Sequence, residues 1–214
     1  MHKQSFGVTW FSALAGALFL VTPRIGPAQG VAPYLHIGAG AAFVQDFIIN
    51  VEDLPGKLKT DVGERFSAAF GLTLYSGPKF ESAIQFETGV VHNSLRSIDF
   101  GDFGGGSSVD GDFYQVPFLV DLVYTFHVGP RLLPYFAVGG GGVYNRLKIE
   151  SLGDFPLDST TTETDAAVQG TAGLKFKLSD NSELGAEYKF LATFPSTDDY
   201  IGTHSLSLVF VMRF

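Results

Sequence analysis

The residues with the most chemistry to offer are charged or amide side chains that recur at alternate positions. Arg65, Glu81, Gln85, Glu87, Asp121, Lys175, Lys177, Glu187, Lys189 and Arg213 fall on one parity of segments whose other parity is large and apolar, as in Ile84-Gln85-Phe86-Glu87. Both signs are present. A buried charge is costly unless it is paired, so this set suits mutual pairing in a water-poor interior. Arg65, Glu81, Glu87, Asp121, Lys175, Glu187, Lys189 and Arg213 are expected to form a structural charge network.

Other chemistries find less support. The histidines, His2, His36, His92, His127 and His204, form no HExxH or other paired motif. A serine hydrolase needs Ser, His and an acid converging on one surface. His204 is followed by Ser205 and Ser207, both on the opposite parity, so that stretch builds no such site. There is no Gly-x-Ser-x-Gly and no phosphate loop. Asp99-x-x-Asp102 and Asp110-Gly-Asp112 resemble fragments of calcium loops without the full ligand spacing. Cysteine is absent, which removes thiolate metal sites, thiol nucleophiles and disulfides. No catalytic residue, cofactor site or metal site is expected, and the chain reads as a non-enzyme.

The elements that must position these charges are strands. In the last ten residues Leu206, Leu208, Phe210, Met212 and Phe214 alternate with smaller or polar residues, the period of two of a strand. Tyr114, Val116, Phe118, Val120, Leu122, Tyr124 and Phe126 give the cleanest such run. The pattern predicts eight strands, over 33–44, 63–75, 79–91, 113–127, 131–145, 166–178, 182–191 and 205–214. The face of the fifth is open because Gly139 to Gly142 interrupt the alternation. Short turns at Ser76-Gly77-Pro78, Val128-Gly129-Pro130 and Ser179-Asp180-Asn181 alternate with long polar loops at 45–62, 92–112, 146–165 and after 191. A soluble sandwich or lipocalin-like barrel would show the same alternation with its apolar face turned inward. The alternation of turn lengths instead matches barrels that cross an outer membrane, with short periplasmic turns and long external loops. Aromatics also gather at both strand ends: Phe80, Tyr124, Phe126, Phe176 and Phe214 near the turns, and Phe66, Tyr114, Tyr188 and Phe190 near the loops.

Residues 1–30 read as a secretory signal peptide: Lys3, an apolar stretch from Phe6 to Val21, then Ala28-Gln29-Gly30 as the cleavage site. Residues 31–214 are then the barrel domain. The most apolar later region, 116–143, contains Pro117, Asp121, Pro130 and Pro134, so no helix there spans a bilayer. Residues 31–214 carry 12 Lys and Arg against 22 Asp and Glu, a net charge of −10. By the boundaries above, the long loops hold 5 basic and 15 acidic residues, so all of the net charge lies at one end of the barrel. The acidity argues against nucleic acid. It offers the loops as a surface for a ligand or for divalent cations.

Tyr114-Gln-Val-Pro-Phe-Leu-Val120, Pro134-Tyr-Phe-Ala-Val-Gly-Gly140, Leu178-Ser-Asp-Asn181, Leu184-Gly-Ala-Glu-Tyr188 and the terminal Phe214 resemble the small outer-membrane β-barrel family, of the eight-stranded OmpA/OmpX or opacity-protein type. The resemblance implies an all-β, antiparallel, up-and-down transmembrane barrel in a Gram-negative-type outer membrane. It implies that Phe210, Met212 and Phe214 form the signal read by the outer-membrane assembly machinery. The expected role is structural or interactive: envelope integrity, or surface contact through acidic loops, with the lumen plugged by side chains. The alternatives are a small-solute porin and an enzyme acting on membrane lipid.

Overall fold

A computed structural model describes residues 31–51, 54–101, 105–196 and 200–214. The proposed signal peptide, residues 1–30, lies outside the described residues. Among the described residues ten strands run in sequence: β1 (Ala32–Val44), β2 (Phe47–Val51), β3 (Leu54–Thr60), β4 (Gly63–Ser76), β5 (Phe80–Asp99), β6 (Gly106–Phe126), β7 (Leu132–Leu152), β8 (Phe155–Lys177), β9 (Ser182–Phe194) and β10 (Ile201–Arg213). All pairings are antiparallel. Eight strands close into a ring in the order β1-β4-β5-β6-β7-β8-β9-β10, with β10 returning to β1 through Tyr34↔Arg213 to Val44↔Thr203. Closure leaves the ring without an edge, which a bilayer requires.

The period of two sets the two faces. Leu35, Ile37, Phe66, Phe70, Phe86, Phe118, Val120, Phe136, Leu174, Leu206 and Leu208 point outward and are exposed, forming the lipid-facing belt. Arg65, Gln85, Glu87, Asp121, Lys175, Glu187 and Lys189 are buried in the lumen. The face of β7 is also settled. Tyr135, Ala137, Gly139 and Val143 turn inward, and Phe136, Val138 and Tyr144 outward. A side chain on Gly139 would collide with the Asp121 carboxylate, and one on Gly141 with the Phe118 carbonyl. Outward Gly170 has open space before it. The inward glycines of β7 are therefore steric requirements, since only glycine allows so close an approach.

The short turns fall as expected. The turn after β6 is closed by Val128 N–H donating to the Leu132 carbonyl at 3.1 Å, with Gly129 at φ 86°. The long loops need correction. Most of 45–62, 92–112 and 146–165 is strand. β5–β6 and β7–β8 continue upward as hairpins, and β2–β3 is an additional hairpin paired to the upper part of β5. β7 has 21 residues. At about 3.3 Å each and a tilt of ~40°, it rises roughly 50 Å, about twice the ~25 Å apolar band. The polar, Thr-rich composition of these segments reads as loop, but Thr is a good strand residue; the alternation resumes in Leu147-Lys-Ile149, while Leu95 and Ile98 are both buried across the register shift between Ser94 and Ser97.

Inside, the lumen is layered. Ion pairs fill its periplasmic and middle parts. Above them lies an apolar layer of Leu119, Val143, Ala167 and Leu191. At the external end, Val44, Phe47, Leu58, Leu95, Ile98, Val109, Phe113 and Ile201 form a further apolar core, with the Phe47 and Phe113 rings 5.2 Å apart.

Candidate functional site

The lumen network is built by inward residues of seven strands, β4 to β10. Glu87 on β5 is its hub. Its Oε1 accepts from Arg65 Nη2 on β4 at 2.7 Å, and its Oε2 from Lys189 Nζ on β9 at 2.6 Å. Lys189 also lies 3.0 Å from Glu187 Oε1, and Glu187 Oε2 accepts from the Tyr135 hydroxyl at 2.6 Å. Arg65 donates further to Gln169 Oε1 at 3.0 Å. Nearer the periplasm, Arg213 joins Glu81 at 2.6 Å and Glu183 at 2.7 Å, and Glu183 also holds Lys175 at 2.9 Å. Asp121 accepts from Gln85 Nε2 at 3.1 Å.

Every expected network residue thus lies in the lumen, and the pairing around the ring sets the partners. Arg213 takes Glu81 and Glu183, while Glu87 is occupied by Arg65 and Lys189. Lys177 stands at the rim, paired with Asp180 of the adjacent turn at 3.0 Å. Glu183 and Tyr135 were missed. Glu183 shares the parity of Glu187, which was a sufficient signal. The parity of Tyr135 was hidden by the glycine run that follows it. Phe210, Met212 and Phe214 sit on the outer face of β10 or just beyond it, at the turn side of the barrel.

The external surface is the other candidate. Above the ring, the upper parts of β5, β6, β7 and β8 with β2 and β3 form an open sheet in the order β2-β3-β5-β6-β7-β8. β8 pairs with β7 along its length but with β9 only from Ala166 to Lys177, so, among the described residues, 155–165 are a free edge. Among the described residues, β2 is the other free edge. Phe155, Leu157 and the threonines of this part of β8 are exposed. Its charges are Asp158, Glu163 and Asp165, with Asp154 in the turn before it. Asp165 is buried against the sheet and accepts from Asn145 Nδ2 at 2.8 Å.

Among the described residues, no group of three His, Asp or Glu is placed to hold a metal ion. Asp102, Asp198 and Asp199 lie outside the described residues. Asp112 is engaged by His92 Nε2 at 2.8 Å, and the other ring nitrogen of His92 lies 2.9 Å from Glu64. Neither nitrogen is free to take a proton from Ser94, which is exposed on the same face. His204 faces outward, with Nδ1 2.6 Å from the Tyr188 hydroxyl and Nε2 2.8 Å from Gln45 Nε2. Ser205 and Ser207 are buried in the lumen, on the other side of the wall.

Comparison with known proteins agrees with this architecture. A family model described as the outer membrane protein beta-barrel domain matches residues 11–214. Among curated proteins, no sequence matches. The solved structure of Ail, the attachment invasion locus protein of Yersinia pestis, in complex with the heparin analogue sucrose octasulfate, is 14% identical. The match covers 87% of this chain and 100% of that one, with a TM-score of 0.52. Neisserial surface protein A is 15% identical over 87% of this chain and 100% of its own, at a TM-score of 0.53. The outer membrane protease OmpT of Escherichia coli is 8% identical over 88% and 99%, at 0.52. Likeness at these identities concerns the fold.

Proposed function

The chain belongs to the outer membrane protein beta-barrel domain family and resides in a Gram-negative outer membrane, and on that premise we propose that its role is structural and interactive. The barrel anchors an external sheet that makes surface contacts, while the lumen stays closed by its own side chains. The observation that carries this reading is the open external sheet with its unpaired β8 edge. Natural proteins blunt such edges with Lys, Pro or bulges. This one carries Pro156 near its start, but from Ser159 to Asp165 it has only Ser, Thr and acids. Its free N–H and C=O groups suit addition of an extended strand, and its exposed acids, Asp158 and Glu163, favour a segment that carries Lys or Arg. A divalent cation is the other partner this charge admits. The same acidity disfavours a sulfated polyanion of the kind bound in the Ail structure.

Two apolar layers across the lumen support the plugged reading over a small-solute pore. Engagement of both ring nitrogens of His92 and of His204 weighs against a lipid hydrolase. Export by a signal peptide at 1–30, and recognition of Phe210, Met212 and Phe214 by the assembly machinery, complete the proposal. The test is binding of an extended Lys-containing peptide to the barrel in nanodiscs. The reading expects binding to wild type and a loss of at least tenfold in Ser159→Lys/Thr161→Lys, which places cations along the edge. Equal binding to both proteins, or none to wild type, overturns it.

A further inference from the structure

Glu64, His92 and Asp112 stand on consecutive strands β4, β5 and β6, on the outer surface. They lie above the spanning stretch of β5, whose outward Ile84, Phe86 and Val90 belong to the apolar belt. His92 Nδ1 is 2.9 Å from Glu64 Oε1 and Nε2 is 2.8 Å from Asp112 Oδ1. The ring stacks on Tyr114 at 4.5 Å and 17°. A neutral imidazole has one N–H and one lone pair. It donates to one carboxylate only, and its lone pair then faces the oxygen of the other. Both contacts hold together only when the ring is an imidazolium.

The place of this trio in the fold gives the contact a consequence. β4 begins at Gly63, and just there β5 changes its neighbour. Glu64↔His92 is the last β4–β5 pair, and Thr60↔Leu95 opens the β3–β5 pairing. His92 therefore sits at the seam where the closed ring becomes the open external sheet. The β5–β6 ladder shifts register immediately above, between Ser94 and Ser97. At the same height inside, Asn93 donates to the carbonyls of Ala42 at 3.1 Å and Asp61 at 2.8 Å.

We propose that His92 is a proton-operated clamp. Its imidazolium ties β4 and β6 to β5 at the base of the external sheet, and loss of its proton releases one of the two ties and loosens that sheet. The charged and titratable groups around it are few. β4 contributes Glu64. β5 contributes Arg96, which lies 3.9 Å from Asp61. β6 contributes Asp110, Asp112 and Tyr114. β7 contributes Arg146 opposite Tyr114, and Lys148 opposite Asp112, with Lys148 itself paired to Glu150. The two carboxylates in direct contact outweigh the more distant cations. Partial burial depresses the pKa of the ring, but the hydrogen bonds and charges of Asp112 and Glu64 more than offset this and raise it above its ordinary value.

The sign of the effect follows. A raised folded pKa means that the tie is fully present below the ordinary histidine value of about 6.5. It is lost as pH rises through the raised value. The clamp would thus regulate the contact surface proposed above. It rests on that reading for its use, not for its existence, and its test involves no partner.

The test follows the His92 ring by NMR in phospholipid nanodiscs from pH 5 to 9. Amide exchange in β2, β3 and the seam is measured in parallel, with intrinsic exchange corrected. The expected result is a ring protonated on both nitrogens at pH 6, with a midpoint above that of free histidine. Glu64→Gln and Asp112→Asn should each lower that midpoint. Exchange should rise several-fold through the wild-type midpoint, and His92→Gln should abolish that step. A midpoint at or below 6.5, or a step that persists in His92→Gln, overturns the proposal. Should His92→Gln fail to fold, the ring titration and the two carboxylate variants decide the matter alone. A failure of peptide binding would leave these readouts unchanged.

Discussion

Glu87→Gln is the sharpest perturbation of the lumen. Gln keeps the size and shape of the side chain and removes its charge. In the native barrel the Glu87 carboxylate faces two cations at once, Arg65 at 2.7 Å and Lys189 at 2.6 Å, with all three side chains 1% exposed. Lys189 retains Glu187 at 3.0 Å after the change. Arg65 does not fare as well: among the described residues Glu87 is its one carboxylate, and only the neutral Gln169 oxygen remains, at 3.0 Å. Removing one partner of a buried pair costs about 3–5 kcal/mol, because the other charge is left uncompensated. At 1.36 kcal/mol per tenfold, that is roughly two to four decades in the folding equilibrium. Urea unfolding in lipid vesicles, followed by tryptophan-independent far-UV circular dichroism and by heat-modifiable gel mobility, measures it. The companion variant Arg65→Met/Glu87→Gln removes the stranded cation and should recover most of the loss. A loss below about 1 kcal/mol, the size of an exposed pair, would refute the account of the lumen. So would a double variant that is less stable than Glu87→Gln.

Three further outcomes are expected. Gly139→Val drives a side chain into the Asp121 carboxylate and should cost about 1–3 kcal/mol or block assembly, whereas Gly170→Ala, with open space before it, should stay within about 0.5 kcal/mol of wild type; the same unfolding assay separates them. Phe113→Ala opens the external apolar core and should weaken it by about 3–5 kcal/mol, seen as faster proteolysis of the β5–β6 extension while the belt-level strands stay protected. Phe214→Ala should reduce the folded, heat-modifiable fraction in the outer membrane, and normal accumulation would remove Phe214 from the assembly role.

Much of the ring was legible because lipid and lumen impose opposite demands on alternate residues. Phe80 to Val90 and Tyr114 to Phe126 each state their outward parity several times over, so the facing of Glu87 and Asp121 follows. The glycine run of β7 erased that signal, since a residue without a side chain states no preference. Its facing shows in the folded wall, where Tyr135, Ala137 and Val143 are buried and Gly139 lies close against Asp121. The external sheet was read as loop because its strands leave the membrane. Once no lipid demands an apolar face, residues 159–164 can be Ser, Thr and Glu and still be a strand. The apolar core above the lumen was obscured for a related reason. Phe47, Leu58, Ile98, Val109 and Phe113 are scattered over four strands, and only the pairing of β3 with β5 brings them together. The partners within the network were the least legible part. Parity places Arg213 inward, but the choice of Glu183 over Glu87 depends on shear and height around the ring, which a period of two does not encode.

A wall closed around its own side chains, with its working surface outside, should not conduct ions. Single-channel conductance of the folded barrel in planar lipid bilayers tests that claim most directly. The prediction is a membrane that stays at baseline, without stable steps of porin size. Stable, reproducible steps of that size would contradict it.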